Sequence, residues 1–152
     1  MRNKFPYTRI PLVDPTDMTQ KAENALWVPT LRVRLGVQGG KRSPRFPAFV
    51  DSGSPWCIFK SDLADYLGIE LEEGEKAEVG GILAGIKEPM YFHKVILFVE
   101  DHWTLSIRAG FVKKLCIPGI LGRDGFFDHF LVQFDQSCKP ALVQLEKIER
   151  PN

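Results

Sequence analysis

The apolar residues of this chain recur mostly with a period of two, which is the spacing of β-strands. Residues 30–37 alternate strictly, with Leu31, Val33, Leu35 and Val37 on one face and Arg32 and Arg34 on the other. This pattern predicts a strand that buries one face and exposes the other to solvent. A chain dominated by such segments has to form its core from sheets, so the sequence favours an all-β fold.

Further strands are predicted along the chain, separated by turn residues. They cover residues 46–50, 90–99, 104–112, 120–121, 131–134 and 141–148. A short helix is predicted from Ser61 to Leu67, capped by Ser61 and ended by Gly68, and residues 126–130 fit one helical turn. Many short strands with one convincing helix predict a sandwich or a barrel.

The length of 152 residues suits one domain with a sizeable core. Residues 1–24 contain three prolines and show no clear period. We therefore expect residues 1–24 to be an irregular N-terminal segment or a dimer arm, and residues 25–152 to form the domain itself.

Charge and hydropathy exclude several classes of partner. Twenty Lys and Arg against nineteen Asp and Glu give a formal net charge of +1, which offers no support for nucleic-acid binding. The longest apolar run, residues 95–99, is far shorter than the roughly 20 residues of a membrane helix. The N-terminus lacks the apolar run of a signal peptide. We expect a cytoplasmic protein without a nucleic-acid or membrane partner.

Familiar metal and nucleotide motifs are missing from the sequence. The three histidines lack the HExxH spacing, and no CxxC occurs, so we expect no metal and no cofactor. The segment Gly36–Lys41 resembles a phosphate-binding loop, but Arg42 stands where that motif needs Ser or Thr. A hairpin turn is the better interpretation of this segment.

The most informative polar cluster follows the predicted strand 46–50. It consists of Asp51, Ser52, Gly53 and Ser54. Taken alone, this cluster is ordinary turn chemistry, because Asp and Ser side chains bond to neighbouring amides and glycine accepts a positive φ. Its meaning therefore depends on the rest of the chain.

A second motif lies about 70 residues downstream of Asp51. It comprises Ile120, Leu121, Gly122 and Arg123, and the run ILGRDGFFDHFLVQFD continues from it into a predicted strand. The two motifs, in this order and spacing, resemble those of retropepsin-like aspartic proteases, and the run is similar to that of the small bacterial members. The resemblance covers roughly residues 31–134.

The resemblance implies a fold, an activity and a set of site residues. The fold would be an acid-protease-like closed barrel with one or two short helices and one lobe per chain. Asp51 would be catalytic, with Ser52, Gly53 and Ser54 supporting its loop and the Ser52 hydroxyl bonding to the partner loop. The element Ile120, Leu121, Gly122 and Arg123 would pack beside that loop. The implied substrate is a protein or peptide.

The expected chemistry also predicts a homodimer. A water molecule that attacks a peptide bond is held between two carboxylates sharing one proton, since like charges about 3 Å apart cannot both ionise. Only one Asp-[Ser/Thr]-Gly occurs in the chain, so each subunit would supply one Asp51 across a two-fold axis. In relatives the terminal strands form the interface, and here residues 5–10 and 141–148 are apolar enough to do so.

Two features depart from the family pattern or leave it undefined. Many retroviral relatives carry Asp after the catalytic tetrapeptide, where it pairs with the downstream Arg, but here the position is Pro55. Arg123 must then find another partner. The flap that covers the substrate is assigned to Gly80, Gly81 and Ile82 on glycine content alone.

Two other functions remain open at the level of sequence. One is a catalytically silent retropepsin-fold module for dimerisation or peptide binding, which the Pro55 substitution favours. The other is a β-barrel unrelated to proteases, in which residues 51–54 form only a turn.

Overall fold

Strands dominate the regular structure of the chain, as the alternating pattern predicts. The computed structural model describes residues 2–11, 25–79 and 88–149. Its strands are β1 (Asn3–Pro6), β2 (Thr8–Pro11), β3 (Ala25–Val28), β4 (Thr30–Gly36), β5 (Phe46–Val50), β6 (Ile58–Lys60), β7 (Glu75–Val79), β8 (Glu88–Val99), β9 (Trp103–Val112), β10 (Gly119–Leu121), β11 (Phe130–Asp135) and β12 (Leu142–Lys147). They are joined by one helix, α1 (Ser61–Leu67), and a 3₁₀ turn (Leu71–Glu73).

Six of these strands close into a barrel. The order around it is β4-β5-β10-β6-β9-β8, and β8 pairs back onto β4, with Val33 opposite Val99. The remaining strand of this sheet, β7, pairs with the first residues of β8, from Glu88 to Phe92. The predicted acid-protease-like closed barrel is confirmed.

The barrel core is built from alternate residues of its strands. In β4, Leu31, Val33 and Leu35 are at most 1% exposed, whereas Arg32 between them is exposed. In β8, Val95 and Leu97 are buried in the same alternating way. Burial of each such side chain stabilises the fold by about 2 kcal/mol. The period of two in the sequence therefore determines which face of the strand forms the core.

The hairpin between β8 and β9 turns on two residues with positive φ, Glu100 at 50° and Asp101 at 51°. Ion pairs hold this costly conformation. The Glu100 carboxylate accepts the Arg32 backbone N–H at 2.7 Å and its guanidinium at 3.3 Å. Asp101 pairs with Arg34 and Arg45.

The helix α1 begins differently from the expectation. Its N-cap is Lys60, which makes no side-chain cap hydrogen bond, and Ser61 is the first helical residue, with its side chain buried. The predicted cap at Ser61 is therefore wrong by one position, because the strand β6 runs directly into the helix. Gly68 ends the helix in the left-handed conformation, at φ 73°, as predicted.

The chain groups into two compact units, which are Leu31–His129 and the segments before and after it. In the second unit, β1, β12 and β11 form an antiparallel sheet in which Phe5 lies opposite Val143 and Val143 opposite Phe134. A separate ribbon joins β2 to β3.

The expectation that residues 1–24 are irregular is wrong for the two strands β1 and β2. Short strands of four residues leave too little alternation for their period to be visible in the sequence. The role of this segment as a dimer arm stays a prediction.

Across the described ranges, no helix is both long enough and apolar enough to span a bilayer.

Candidate active site

Asp51 lies where β5 leaves the barrel. Its backbone N–H donates to the Leu121 carbonyl at 3.0 Å, one step beyond the parallel pairing of Val50 with Leu121. The start of the polar turn is thus anchored to β10 by a hydrogen bond. Asp51 itself is exposed in the single chain.

A tight turn orients the Asp51 carboxylate. The Gly53 N–H donates to Asp51 Oδ1 at 2.9 Å, and the Ser54 N–H donates to the Asp51 carbonyl at 3.2 Å. Ser54 is buried, and its hydroxyl donates to the Trp56 carbonyl at 2.7 Å, a second hydrogen bond within the loop. Ser52 and Gly53 are exposed beside Asp51. The turn therefore presents a carboxylate and a hydroxyl to solvent on a rigid backbone.

Strand β10 brings the two sequence motifs together. It lies between β5 and β6, with Ile120 opposite Phe49 on the parallel side and opposite Ile58 on the antiparallel side. Leu121 is fully buried there, and Ile120 is half-buried. The loop that carries Asp51 connects β5 to β6, so the downstream motif is inserted between the two strands that hold that loop.

Gly122 permits the closest approach in the site. A Cβ at this position would overlap the Trp56 carbonyl group and would lie 2.8 Å from the Ser54 carbonyl oxygen. The next amide, that of Arg123, donates to the same Ser54 carbonyl at 2.9 Å. Only glycine lets the downstream backbone lie this close to the Asp51 loop.

The chain after Gly122 forms a series of turns, not the predicted helical turn at residues 126–130. The amides of Phe127 and Asp128 donate to carbonyls five residues back, and the His129 amide donates to the Phe126 carbonyl three residues back, so none of these bonds has α-helical spacing. The Asp128 carboxylate Oδ1 accepts the Gly125 N–H at 3.0 Å and lies 2.7 Å from His129 Nδ1. Gly125, directly before these residues, has a φ of 102°, a conformation that suits glycine in a turn.

Arg123 makes no ion pair with any residue in the described part of the chain, and it is exposed. Pro55, which replaces the acidic partner expected from the family pattern, is half-buried. Because Pro55 stands where the family pattern has an acidic residue, Arg123 is a cation without an ion pair next to the Asp51 loop.

The three flap candidates, Gly80, Gly81 and Ile82, lie outside the described residues. The strands on either side of them, β7 and β8, pair antiparallel as far as Val79 and Glu88. Among the described residues, no three His, Cys, Asp or Glu side chains cluster so as to hold a metal ion.

Cys57 lies beside the site, although no sequence motif contains it. It is fully buried, and burial raises the pKa of its thiol to about 12, against a smaller lowering by the Gly122 amide. Its Sγ lies 3.2 Å from where a Gly125 Cβ would be. The thiol packs beneath the turn that follows β10.

We expect Cys57 to resist thiol reagents in the native protein, because a thiol with so high a pKa has almost no thiolate at pH 8. The exposed Cys116 should react quickly with a chromogenic disulfide reagent. Unfolding in urea should expose the Cys57 thiol and allow it to react with the reagent. The Cys116→Ser variant is the control, and mass spectrometry identifies which cysteines are labelled. Fast labelling of Cys57 in this variant under native conditions would contradict its buried position.

Solved structures that resemble this fold include the following three. A retropepsin-like aspartic protease from Rickettsia conorii has a TM-score of 0.55 and 11% identity, over 95% of this chain and 91% of that one. EIAV protease complexed with the inhibitor HBY-793 has a TM-score of 0.46 and 17% identity, over 71% and 88% of the two chains. The retroviral protease-like domain of Ddi1 from Leishmania major has a TM-score of 0.48 and 17% identity, over 68% and 81%.

The chain therefore has the fold of the retropepsin-like aspartic proteases, and the similarity to the Rickettsia structure over nearly its whole length carries this conclusion. The resemblance read from the two sequence motifs is confirmed at the level of fold. No protein-family model matches the sequence, and the search of curated proteins returned no similar sequence.

Proposed function

We propose that this protein is a homodimeric aspartic endopeptidase in which Asp51 of each subunit supplies one of two catalytic carboxylates. The observation that carries the proposal is the placement of Asp51. It directly follows a barrel strand, its carboxylate is oriented by the Gly53 amide, and it is exposed on a turn anchored to β10. An exposed carboxylate held in a fixed orientation is suited to contact a second carboxylate from another subunit.

In the proposed reaction one carboxylate acts as base and its protonated neighbour as acid. The base takes a proton from water as the oxygen attacks the peptide carbonyl, while the acid donates its proton to the carbonyl oxygen. As the tetrahedral diol collapses, the carboxyl that took the water proton donates it to the leaving amine, and the other carboxylate takes a proton from a diol hydroxyl, so the pair stays singly protonated and regains its starting state. Both carboxylates have to be present, because one group cannot be acid and base at the same time.

The turn supports this chemistry by fixing geometry. The hydrogen bond from Gly53 holds one Asp51 oxygen, and the buried Ser54 hydroxyl braces the loop through the Trp56 carbonyl. Ser52 is exposed, so its hydroxyl can reach the loop of the second subunit, in the role the family assigns to it. Preorganisation of this kind lowers the reorganisation cost of the reaction. The flap over the substrate remains assigned to Gly80, Gly81 and Ile82.

We expect peptidase activity to rise with the square of protein concentration below the dimer dissociation constant, because each subunit holds half of the site. Initial rates of cleavage of denatured casein across a dilution series, paired with sedimentation velocity, measure this. Added Asp51→Asn chains should inhibit the wild type by forming mixed dimers with one carboxylate. An active species that sediments as a monomer would contradict the proposal.

A second candidate is a catalytically silent module that binds peptides or dimerises. Arg123 has no ion-pair partner among the described residues, and Pro55 takes the place of the acid that would position it and the substrate. Peptide binding by calorimetry without any cleavage over pH 3 to 8 would favour this candidate over the endopeptidase.

A further inference from the structure

Arg123 is an exposed residue whose backbone is held against the Asp51 loop. Its amide donates to the Ser54 carbonyl at 2.9 Å, and the Asp51 amide donates to the Leu121 carbonyl at 3.0 Å. Hydrogen bonds thus hold the segment 121–123 alongside the loop at both of its ends. An extended chain rises about 7 Å over two residues, so Arg123 lies only a few residue lengths from Asp51.

The carboxylates close to Arg123 do not neutralise it through contact. Within residues 2–11, 25–79 and 88–149, Arg123 forms no ion pair. The Asp51 carboxylate accepts a backbone amide of its own turn, and the Asp128 carboxylate lies 2.7 Å from His129 Nδ1. The adjacent Asp124 is exposed and lowers the local positive potential without pairing with Arg123. The guanidinium is therefore available to a carboxylate from outside the chain.

The chemistry of a guanidinium defines the ligand that it selects. Its planar fork donates two parallel hydrogen bonds to the two oxygens of a carboxylate, a geometry that an ammonium group cannot match. A peptide that passes Asp51 in an extended conformation covers about 3.3 Å per residue, so side chains within about three residues of the bond at Asp51 can reach Arg123. The ligand that fits is a peptide with Asp or Glu at such a position.

We propose that Arg123 determines substrate specificity by pairing with an acidic side chain of the peptide, within about three residues of the scissile bond. This inference rests on the proposed function, because that function places the peptide at Asp51. A side-chain carboxylate is chosen over the terminal carboxylate of a peptide, since an endopeptidase cuts away from chain ends. Arg123 takes no part in the acid–base steps, so its effect should fall mainly on KM.

The experiment uses a library of random dodecapeptides with amidated C-termini, so that side chains supply the only carboxylates. Mass spectrometry of the cleavage products should show Asp and Glu enriched about fivefold at one position near the cut by the wild type. Arg123→Glu should abolish this enrichment and favour Lys and Arg instead, whereas Arg123→Lys should retain part of it. Lys94→Glu is the matched control, because Lys94 is an exposed cation on β8, and it should keep the wild-type preference.

A pair of peptides from the cleaved set, with Glu or Gln at the selected position, gives the kinetic test. In the wild type the Glu peptide should have a KM about fivefold lower than the Gln peptide at similar kcat. The difference should vanish in Arg123→Gln. Thermal melting checks that each variant folds, and Arg123→Gln carries the test if Arg123→Glu does not fold.

The outcomes separate this proposal from the proposed function. A wild type without acidic preference, or a preference that Arg123→Glu leaves unchanged, would overturn the role of Arg123 even if the enzyme is active. An acidic preference seen only with free C-termini would overturn it as well, because the terminal carboxylate would then be the ligand. A dimer that dissociates in Arg123→Glu, with unchanged preference in the dimer that remains, would place the ion pair between subunits and overturn the proposal.

If the wild type cleaves nothing, the same library is selected on immobilised protein. Retained peptides enriched in Asp and Glu by the wild type, but not by Arg123→Glu, would support acid recognition by Arg123 and overturn the endopeptidase. Retained peptides without that enrichment would overturn both.

Discussion

Replacing Asp51 with Asn should lower kcat/KM for peptide cleavage by about a thousandfold or more, because acid–base catalysis by the pair requires two ionisable groups. The fold should be almost unaffected. Asp51 is exposed, and the Asn carbonyl oxygen can still accept the Gly53 N–H that now bonds to Oδ1 at 2.9 Å. We expect the free energy of unfolding to change by no more than about 0.5 kcal/mol. Association of the two subunits should not weaken, since a like-charge contact is removed.

Asp65→Asn is the matched control for this experiment. Asp65 is also an exposed carboxylate, on α1, and its substitution should leave cleavage within twofold of the wild type. Denatured casein and a mixed peptide library serve as substrates, and urea titration measures stability. Undiminished cleavage by a folded Asp51→Asn protein would contradict the assignment of Asp51 as catalytic.

Replacing Gly122 with Ala should destabilise the protein by about 3 kcal/mol or more, which is among the largest effects of a single methyl group. The added Cβ would overlap the Trp56 carbonyl and approach the Ser54 carbonyl to 2.8 Å, and both are backbone atoms that cannot rotate away. The Asp51 loop or strand β10 would have to move. Peptidase activity should therefore fall even in the fraction that remains folded, and urea unfolding with a cleavage assay measures both effects.

Gly39→Ala distinguishes steric overlap from backbone strain. Gly39 has a φ of 72° and open space around its Cβ position, so Ala there should cost only about 1–2 kcal/mol. Gly122 is not among the glycines with positive φ, so its cost comes from contact alone. Equal destabilisation by the two substitutions would contradict the close approach between β10 and the Asp51 loop.

Local patterns in the sequence predicted the elements that carry the site. The alternation of β4, the end of α1 at Gly68 and the strands flanking the turn at Glu100 follow from side-chain period and turn chemistry, which act over a few residues. The elements that were missed or misjudged are short. They include β1, β2, the cap of α1 and the turns after Gly122, where a few residues carry too little periodicity and tertiary hydrogen bonds decide the conformation.

The candidate site divides in the same way. The class of fold could be predicted from the sequence, because the two motifs containing Asp51 and Leu121 are each local. The residue types suited to the chemistry can also be read directly from them. Only the tertiary structure showed that β10 lies between β5 and β6, that Gly122 contacts the Asp51 loop, and that β12 is central while β11 forms an edge. Strand order depends on backbone hydrogen bonds between segments that are distant in the sequence. Because the backbone of almost any segment can form such bonds, a local pattern does not indicate which strands pair.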